Sequence, residues 1–273
     1  IAQDGRGDVI YVPTPQVVVD EMLRMAKVGA NDYVIDLGSG DGRIVITAAK
    51  KHGARGFGVD LDTYLLKIAN TNAKKEGVAD RARFIEQNLF QTDLSQATVI
   101  TSYLLPEMNE KLRPKILNLK PGTRVVTHDY HMGEWHAEEM RTLDVPEKKV
   151  GNPGKSYIYR YIVPAKIAGR WQSQFTSGTH PASLEFDFEQ RFQMFDGIAR
   201  SGSQKMTLRV PKLEGDQISF QFFTKPGDIA TRHDFSGTVK SDLIEGTLRL
   251  GAGAAQKQVP WTAKLVKRAA SPQ

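Results

Sequence analysis

Between Tyr33 and Pro164, short apolar runs rich in β-branched residues alternate with segments whose apolar positions recur at helical spacing. That alternation predicts a sheet covered by helices. The runs place strands at Tyr33–Leu37, Gly56–Asp60, Ala82–Gln87, Ala97–Tyr103, Arg124–His128 and Tyr157–Val163. Ile44 to Lys50 carries a helical pattern, as do Leu65, Ile68, Ala69 and Asn72, followed by Gly77, a residue suited to a left-handed cap. Upstream, Val18, Met22 and Met25 predict an amphipathic helix with Thr14 as N-cap and Pro15 in its first turn. After Pro164 the period drops to two, as in Ser183-Leu184-Glu185-Phe186-Asp187-Phe188, between Gly, Asp and Pro turns. The expected organisation is therefore an α/β domain with its N-terminal helix over residues 1–164, and a small all-β barrel or sandwich over 165–273.

Composition narrows the partners more than the chemistry. The 273 residues are 40% apolar and 25% charged, as in a soluble globular protein, and no run approaches the ~18 apolar residues of a membrane-spanning helix. A net charge of +6 suits an anionic partner, but the basic residues are dispersed. Pairs such as Lys148-Lys149 read as solvated surface charge, and no nucleic-acid footprint is expected. The absence of cysteine excludes disulfides, thiolate metal sites and a cysteine nucleophile, and leaves the compartment open. The opening Ile1-Ala2-Gln3 fits the edge of a cleaved export signal, so a periplasmic location stands as an expectation beside a cytoplasmic one. Oligomeric state has no signal in the sequence.

The chemistry begins at Val34-Ile35-Asp36-Leu37-Gly38-Ser39-Gly40-Asp41-Gly42-Arg43, an apolar strand running into a glycine-rich turn and then a helix. Gly38 and Gly40 let the backbone approach a ligand at the carboxyl end of a strand, and the helix start offers free N–H groups. A dinucleotide fingerprint wants its third glycine three positions after the second, yet Gly42 follows Gly40 by two and Arg43 fills the expected site. Asp36, two residues before the first glycine, suits a cationic ligand better than a pyrophosphate. Asp60, ending the second strand, can accept from both hydroxyls of a ribose.

Asp36 to Arg43, Asp60, and Gln87-Asn88-Leu89-Phe90 at the third strand's end resemble the successive motifs of class I S-adenosylmethionine (SAM) dependent methyltransferases. The resemblance covers residues 10 to 164 and implies a Rossmann-like, doubly wound seven-strand sheet with SAM as cofactor. It implies that Asp36 and the turn Gly38, Ser39, Gly40, Asp41 and Gly42 hold the methionine part. Asp60 with Leu61 would hold the ribose, and Asn88 with Leu89 the adenine. Tyr11-Val12-Pro13-Thr14-Pro15 ahead of the first helix is similar to the seven-strand protein-lysine methyltransferases that include the ATP synthase c-subunit enzyme, and adds Tyr11 and Thr14 to the cofactor site. This second resemblance implies an amine acceptor, a protein lysine or a small molecule. Simpler readings stand beside these: Tyr11 and Thr14 as helix-capping residues, Asn88 as a plain loop residue, and the whole fold as a nucleoside-binding scaffold serving the β domain.

Methyl transfer needs a nucleophile held in line in a site that limits water. The ends of the fourth and fifth strands, Thr101 to Pro106 and His128 to His131, supply the candidates Tyr103, to orient an amine, and Asp129, to neutralise or deprotonate it. His128, His131 and His136 lack metal-ligand spacing, so no metal is assigned. Between the fifth strand and the next, the expected helix is shortened to a loop around Tyr130 to Trp135. In the second domain Trp171, Phe186, Phe188, Phe192, Phe220, Phe222 and Trp261 read as core, although the Gly169-Arg170-Trp171 opening resembles that of lipocalin-type barrels.

Overall fold

A computed structural model describes residues 11–177, 180–224, 231–251 and 256–269, which leaves the Ile1-Ala2-Gln3 expectation outside the described residues. The chain divides into two compact units, Ile1–Ile162 and Val163–Gln273.

In the first unit, α1 (Gln16–Met25) precedes β1 (Tyr33–Leu37), α2 (Arg43–His52), β2 (Arg55–Asp60), α3 (Thr63–Lys75) and β3 (Ala82–Glu86). There follow β4 (Val99–Ser102), α4 (Pro106–Ile116), β5 (Arg124–His128), β6 (Glu139–Val145) and β7 (Gly154–Ile162). The sheet order is β3-β2-β1-β4-β5-β7-β6, parallel from β3 through β5, with β7 antiparallel to both of its neighbours. Helices cover parallel strands on both faces, so β1 and β4 are almost continuously buried. Strand order reverses between β1 and β4, which makes the carboxyl ends of these two strands the switch point where such sheets bind ligands.

Local chemistry explains where sequence and structure differ. Pro15, not Thr14, is the α1 N-cap; the Thr14 hydroxyl is instead 3.1 Å from His128 Nδ1, a buried contact across the fold. β4 is shorter than expected because the Ala97 N–H closes a turn on Leu94 O at 3.0 Å, while Tyr103 lies beyond the last β4–β5 pair, Ser102 with Thr127. β6 was not anticipated at all. It is a largely exposed edge strand whose sequence, EMRTLDV, has too little apolar alternation to announce itself. Gly77 does adopt a left-handed φ of 69° beyond α3, whose start is capped by the Asp62 carboxylate accepting from Tyr64 N and Leu65 N.

The second unit is all β. Its strands are β8 (Gly169–Ser177), β9 (His180–Arg191), β10 (Met194–Ser201), β11 (Gln204–Thr207), β12 (Arg209–Glu214), β13 (Gln217–Thr224), β14 (Thr231–Lys240), β15 (Leu243–Leu250) and β16 (Lys257–Arg268). They form one antiparallel sheet ordered β11-β10-β9-β8-β16-β15-β14-β13-β12, and β10 returns against β12, so the sheet curls into a nearly closed barrel. The core holds Trp171, Phe186, Phe188, Phe220, Phe222, Phe235 and Trp261. Phe220 stacks on Phe235 at 5.0 Å between centroids, and Trp261 meets Phe235 edge-on at 4.9 Å. Both indole N–H groups are satisfied, Trp171 on Ile167 O at 2.8 Å and Trp261 on Ser236 O at 2.9 Å.

Candidate active site

At the switch point Asp36 lies in register with Gly58 of β2 on one side and Thr101 of β4 on the other. Its carboxylate is buried and accepts from the Thr101 hydroxyl at 2.7 Å. Burial, reinforced by the charges of Asp60 and Asp41, pushes its pKa up to about 7 against the opposing effect of Thr101. Beyond it, Gly38, Gly40 and Gly42 all have positive φ (79°, 51° and 83°), which is what turns the chain back over the strand tips. Gly38 and Ser39 donate to Val59 O at 2.9 Å each, and Gly40 N donates to Asp60 Oδ2 at 2.9 Å while Asp62 N donates to Oδ1 at 3.0 Å. Asp60 is therefore fastened to the glycine turn, with Leu61 exposed next to it.

The N-terminal segment closes over this turn. Arg43 pairs with Asp41 at 2.6 Å and donates to Thr14 O at 2.8 Å, and the Tyr11 ring lies so close to Gly40 that a Cβ there would come within 2.2 Å of it. Burial, then the Asp41 charge, raises the Tyr11 hydroxyl to about 12. Ser39 Oγ is buried with no hydrogen-bond partner among the described residues. At the β3 tip, Gln87 N bonds Asp60 O at 3.2 Å, and Asn88 Oδ1 accepts from Phe90 N at 2.9 Å in an Asx turn, with Leu89 half-buried beside it.

A second cluster forms at the tips of β4 and β5. The Tyr103 hydroxyl donates to Asp129 Oδ2 at 3.0 Å, and the Tyr103 ring packs 4.0 Å from the His128 ring, centroid to centroid. Asp129 has φ 61°, and its Oδ2 also accepts from the buried ammonium of Lys148, while Tyr157 N donates to Oδ1 at 3.2 Å. Burial alone would raise the Asp129 pKa, but Lys148, His128, Tyr157 N and Tyr103 together hold it below the usual carboxylate range. Tyr103 is pushed well above an ordinary phenol, by burial first and then by Asp129. Burial lowers His128 to about 4, and its ring nitrogens face Thr14 Oγ1 at 3.1 Å and Ser156 Oγ at 2.9 Å, so it is neutral and fully engaged.

The family model of the ANTKMT methyltransferase domain matches residues 36–139. Over 157 residues the chain is 47% identical to a protein-lysine N-methyltransferase of Saccharolobus islandicus (strain REY15A), covering 57% of this chain and 94% of that one. The chain belongs to the class I SAM-dependent methyltransferases. The methyltransferase is also 32% identical over 126 residues to the ATP synthase c-subunit lysine N-methyltransferase of Xenopus laevis, matching 46% of this chain and 55% of that one; it spans about half of that relative's length. A crystal structure described as an RNA methyltransferase from Salinibacter ruber in complex with S-adenosyl-L-homocysteine is 50% identical, covers 57% of this chain and 96% of that one, and superposes with a TM-score of 0.51.

SAM is the cofactor of the methyltransferase. The first cluster has the chemistry for it: the charges of Asp60 and Asp41 act on buried Asp36 beside a bare-backbone turn, and Ser39 has a buried hydroxyl with no partner among the described residues. A buried carboxylate with raised pKa is what a cationic ligand stabilises. Sequence reading missed Thr101 as the support of Asp36 and Arg43 as the clamp on the N-terminal segment. It also read Lys148 as surface charge, whereas Lys148 is 6% exposed. Lys149 is exposed, whereas the Lys148 ammonium is drawn inward to Asp129 and Lys155 O.

Proposed function

We propose that the methyltransferase transfers the methyl group of SAM to the ε-amino group of a protein lysine. The observation that carries this reading is the pairing of the Tyr103 hydroxyl with the Asp129 carboxylate at 3.0 Å, next to the Asp36 strand tip, in a chain so similar to a protein-lysine N-methyltransferase. Asp36 and the turn Gly38, Ser39, Gly40, Asp41 and Gly42 would hold the methionine part, Asp60 and Leu61 the ribose, and Asn88 and Leu89 the adenine. Tyr11 and Thr14 would close the site from the N-terminal side.

SAM would supply an electrophilic methyl on a cationic sulfur: the acceptor ammonium would first give a proton to water, and the neutral amine would then take the methyl as the C–S bond breaks and leaves its electron pair on sulfur. The chain's own residues bind, orient and exclude solvent. Asp129, held below the usual carboxylate range, is a weak base, which favours charge-holding over proton removal. Tyr103 stays protonated and aims its hydroxyl at Asp129.

The description of the Salinibacter ruber structure favours a second acceptor class, RNA. Incubating the protein with methyl-labelled SAM and a mixed protein and RNA extract tests both. Label that resists nuclease, is lost on proteolysis and appears as methyl-lysine after acid hydrolysis is the expected result; label released by nuclease overturns the lysine reading.

A further inference from the structure

Lys148 lies in the β6–β7 turn, at residues 146–153, just beyond the last ladder pair Val145 with Gly154. Its side chain is 3% exposed, and its ammonium is shared between Asp129 Oδ2 and Lys155 O, the latter at 2.7 Å. The ammonium sits 6.0 Å from the Tyr103 ring centroid. The turn backbone closes the other side. At Gly151, with φ 76°, a Cβ would stand 2.7 Å from the Tyr103 hydroxyl and 2.9 Å from Asp129 Oδ2, so only glycine lets the chain pass.

β4 links this cluster to the other. Thr101 holds Asp36, and Tyr103, two residues or roughly 7 Å further along the chain, holds Asp129. Tyr103 directly follows β4, so both carboxylates are held from the same end of the sheet, its carboxyl edge. The surroundings of Asp129 thus already accommodate a lysine side chain: a carboxylate for the ammonium, and an aromatic ring beside it.

We infer that Asp129 is the docking point for the acceptor's ammonium, and that Lys148 is its resident competitor, a side chain of the enzyme itself that an incoming lysine displaces. This deepens the lysine-acceptor reading and rests on it. Lys148 can be displaced because it belongs to a turn: its N–H and C=O bonds, to Val145 O and from Gly154 N at 3.0 Å each, do not depend on where its side chain points. Acceptor choice then becomes a contest between two like ammonium groups for one buried carboxylate. A lysine presented with further contacts to the enzyme wins it more readily than a bare one.

The test uses the full chain, SAM, and the peptide acetyl-Gly-Gly-Lys-Gly-Gly-amide. Lys148→Met leaves the carboxylate free, and KM for the peptide should fall about ten-fold with KM for SAM unchanged. Lys148→Arg keeps the cation and adds a two-pronged grip on the carboxylate, so KM for the peptide should rise several-fold. Equal peptide KM in wild type and both folded variants, as a purely structural lysine would give, overturns the proposal. Should Lys148→Met not fold, the Lys148→Arg comparison decides.

A second measurement does not depend on turnover. By calorimetry n-butylammonium chloride should bind Lys148→Met more tightly than wild type, Lys148→Arg more weakly, and Asp129→Asn/Lys148→Met not at all. Equal affinity across the series overturns the proposal. Absence of methyl-lysine on the peptide in every variant, with SAM still bound, would instead count against the lysine acceptor, and the n-butylammonium series would still decide the role of Lys148.

Discussion

At the scale of single residues, Asp36 is the most sensitive position. Its folded pKa of about 7 lies above the ordinary carboxylate value, so between the two the folded state binds more protons than the unfolded one. Stability of the ligand-free protein is therefore favoured by this group at low pH and falls as pH rises towards 7, by up to a few kcal/mol at about 1.4 kcal/mol per unit. A cationic ligand binds the ionised form, so SAM affinity should strengthen from pH 5.5 to pH 8; calorimetry across that range checks it. Asp36→Asn should weaken SAM binding by roughly one to two orders of magnitude and flatten its pH dependence. Asp129, by contrast, is expected to leave proton removal to solvent. With a peptide lysine acceptor, kcat/KM should keep rising with pH towards the lysine range near 10. A plateau near pH 7 in the pH–rate profile would instead identify an enzyme base. What the sequence made legible here was the glycine-rich turn at the end of β1 and the carboxylates at the ends of β1 and β2, because each stands at a strand-to-helix junction. Thr101, Ser156 and Lys148 were not, because their positions depend on strand register and turn geometry rather than on neighbours in sequence.

At the scale of elements, residues 11–14 before α1 are held by the Arg43 donation to Thr14 O, Tyr11 against Gly40 and Asp41, and Thr14 with His128. Arg43→Ala removes the first and frees Asp41. We expect the fold to survive with a loss of about 1–2 kcal/mol, as for a partly buried charged hydrogen bond, and KM for SAM to rise more than that for the acceptor. Steady-state kinetics with both substrates varied would show it. The strands around this segment were readable because each is an apolar run ending in a turn signal, whereas β6 escaped because an edge strand with one covered face needs no apolar run. The Thr14 cap was misplaced for a related reason: a capping residue and a residue reaching across the fold look alike in sequence.

At the scale of the whole molecule, the two units have separate cores, with Val18 through Ile158 in one and Ala165 through Ala263 in the other. Two calorimetric transitions are expected, of which SAM should raise only one, because ligand stabilises the unit that binds it. Trp135 is buried in the first unit, and Trp171 and Trp261 in the second. In a Trp171→Phe/Trp261→Phe variant, fluorescence should follow the SAM-dependent transition alone. The change of pattern at Pro164 was legible because a period of two and a period near 3.6 cannot be confused over so many residues. The barrel's fate was less so, since period alone cannot tell a lined cavity from a packed one. Here the rings of Phe186, Phe188, Phe220, Phe222 and Phe235 meet inside it at 5.0 to 5.6 Å. A vessel filled by its own wall has, among the described residues, an interior made of packed rings, so a mutational scan should find its inward positions tolerant of size-matched apolar exchange alone.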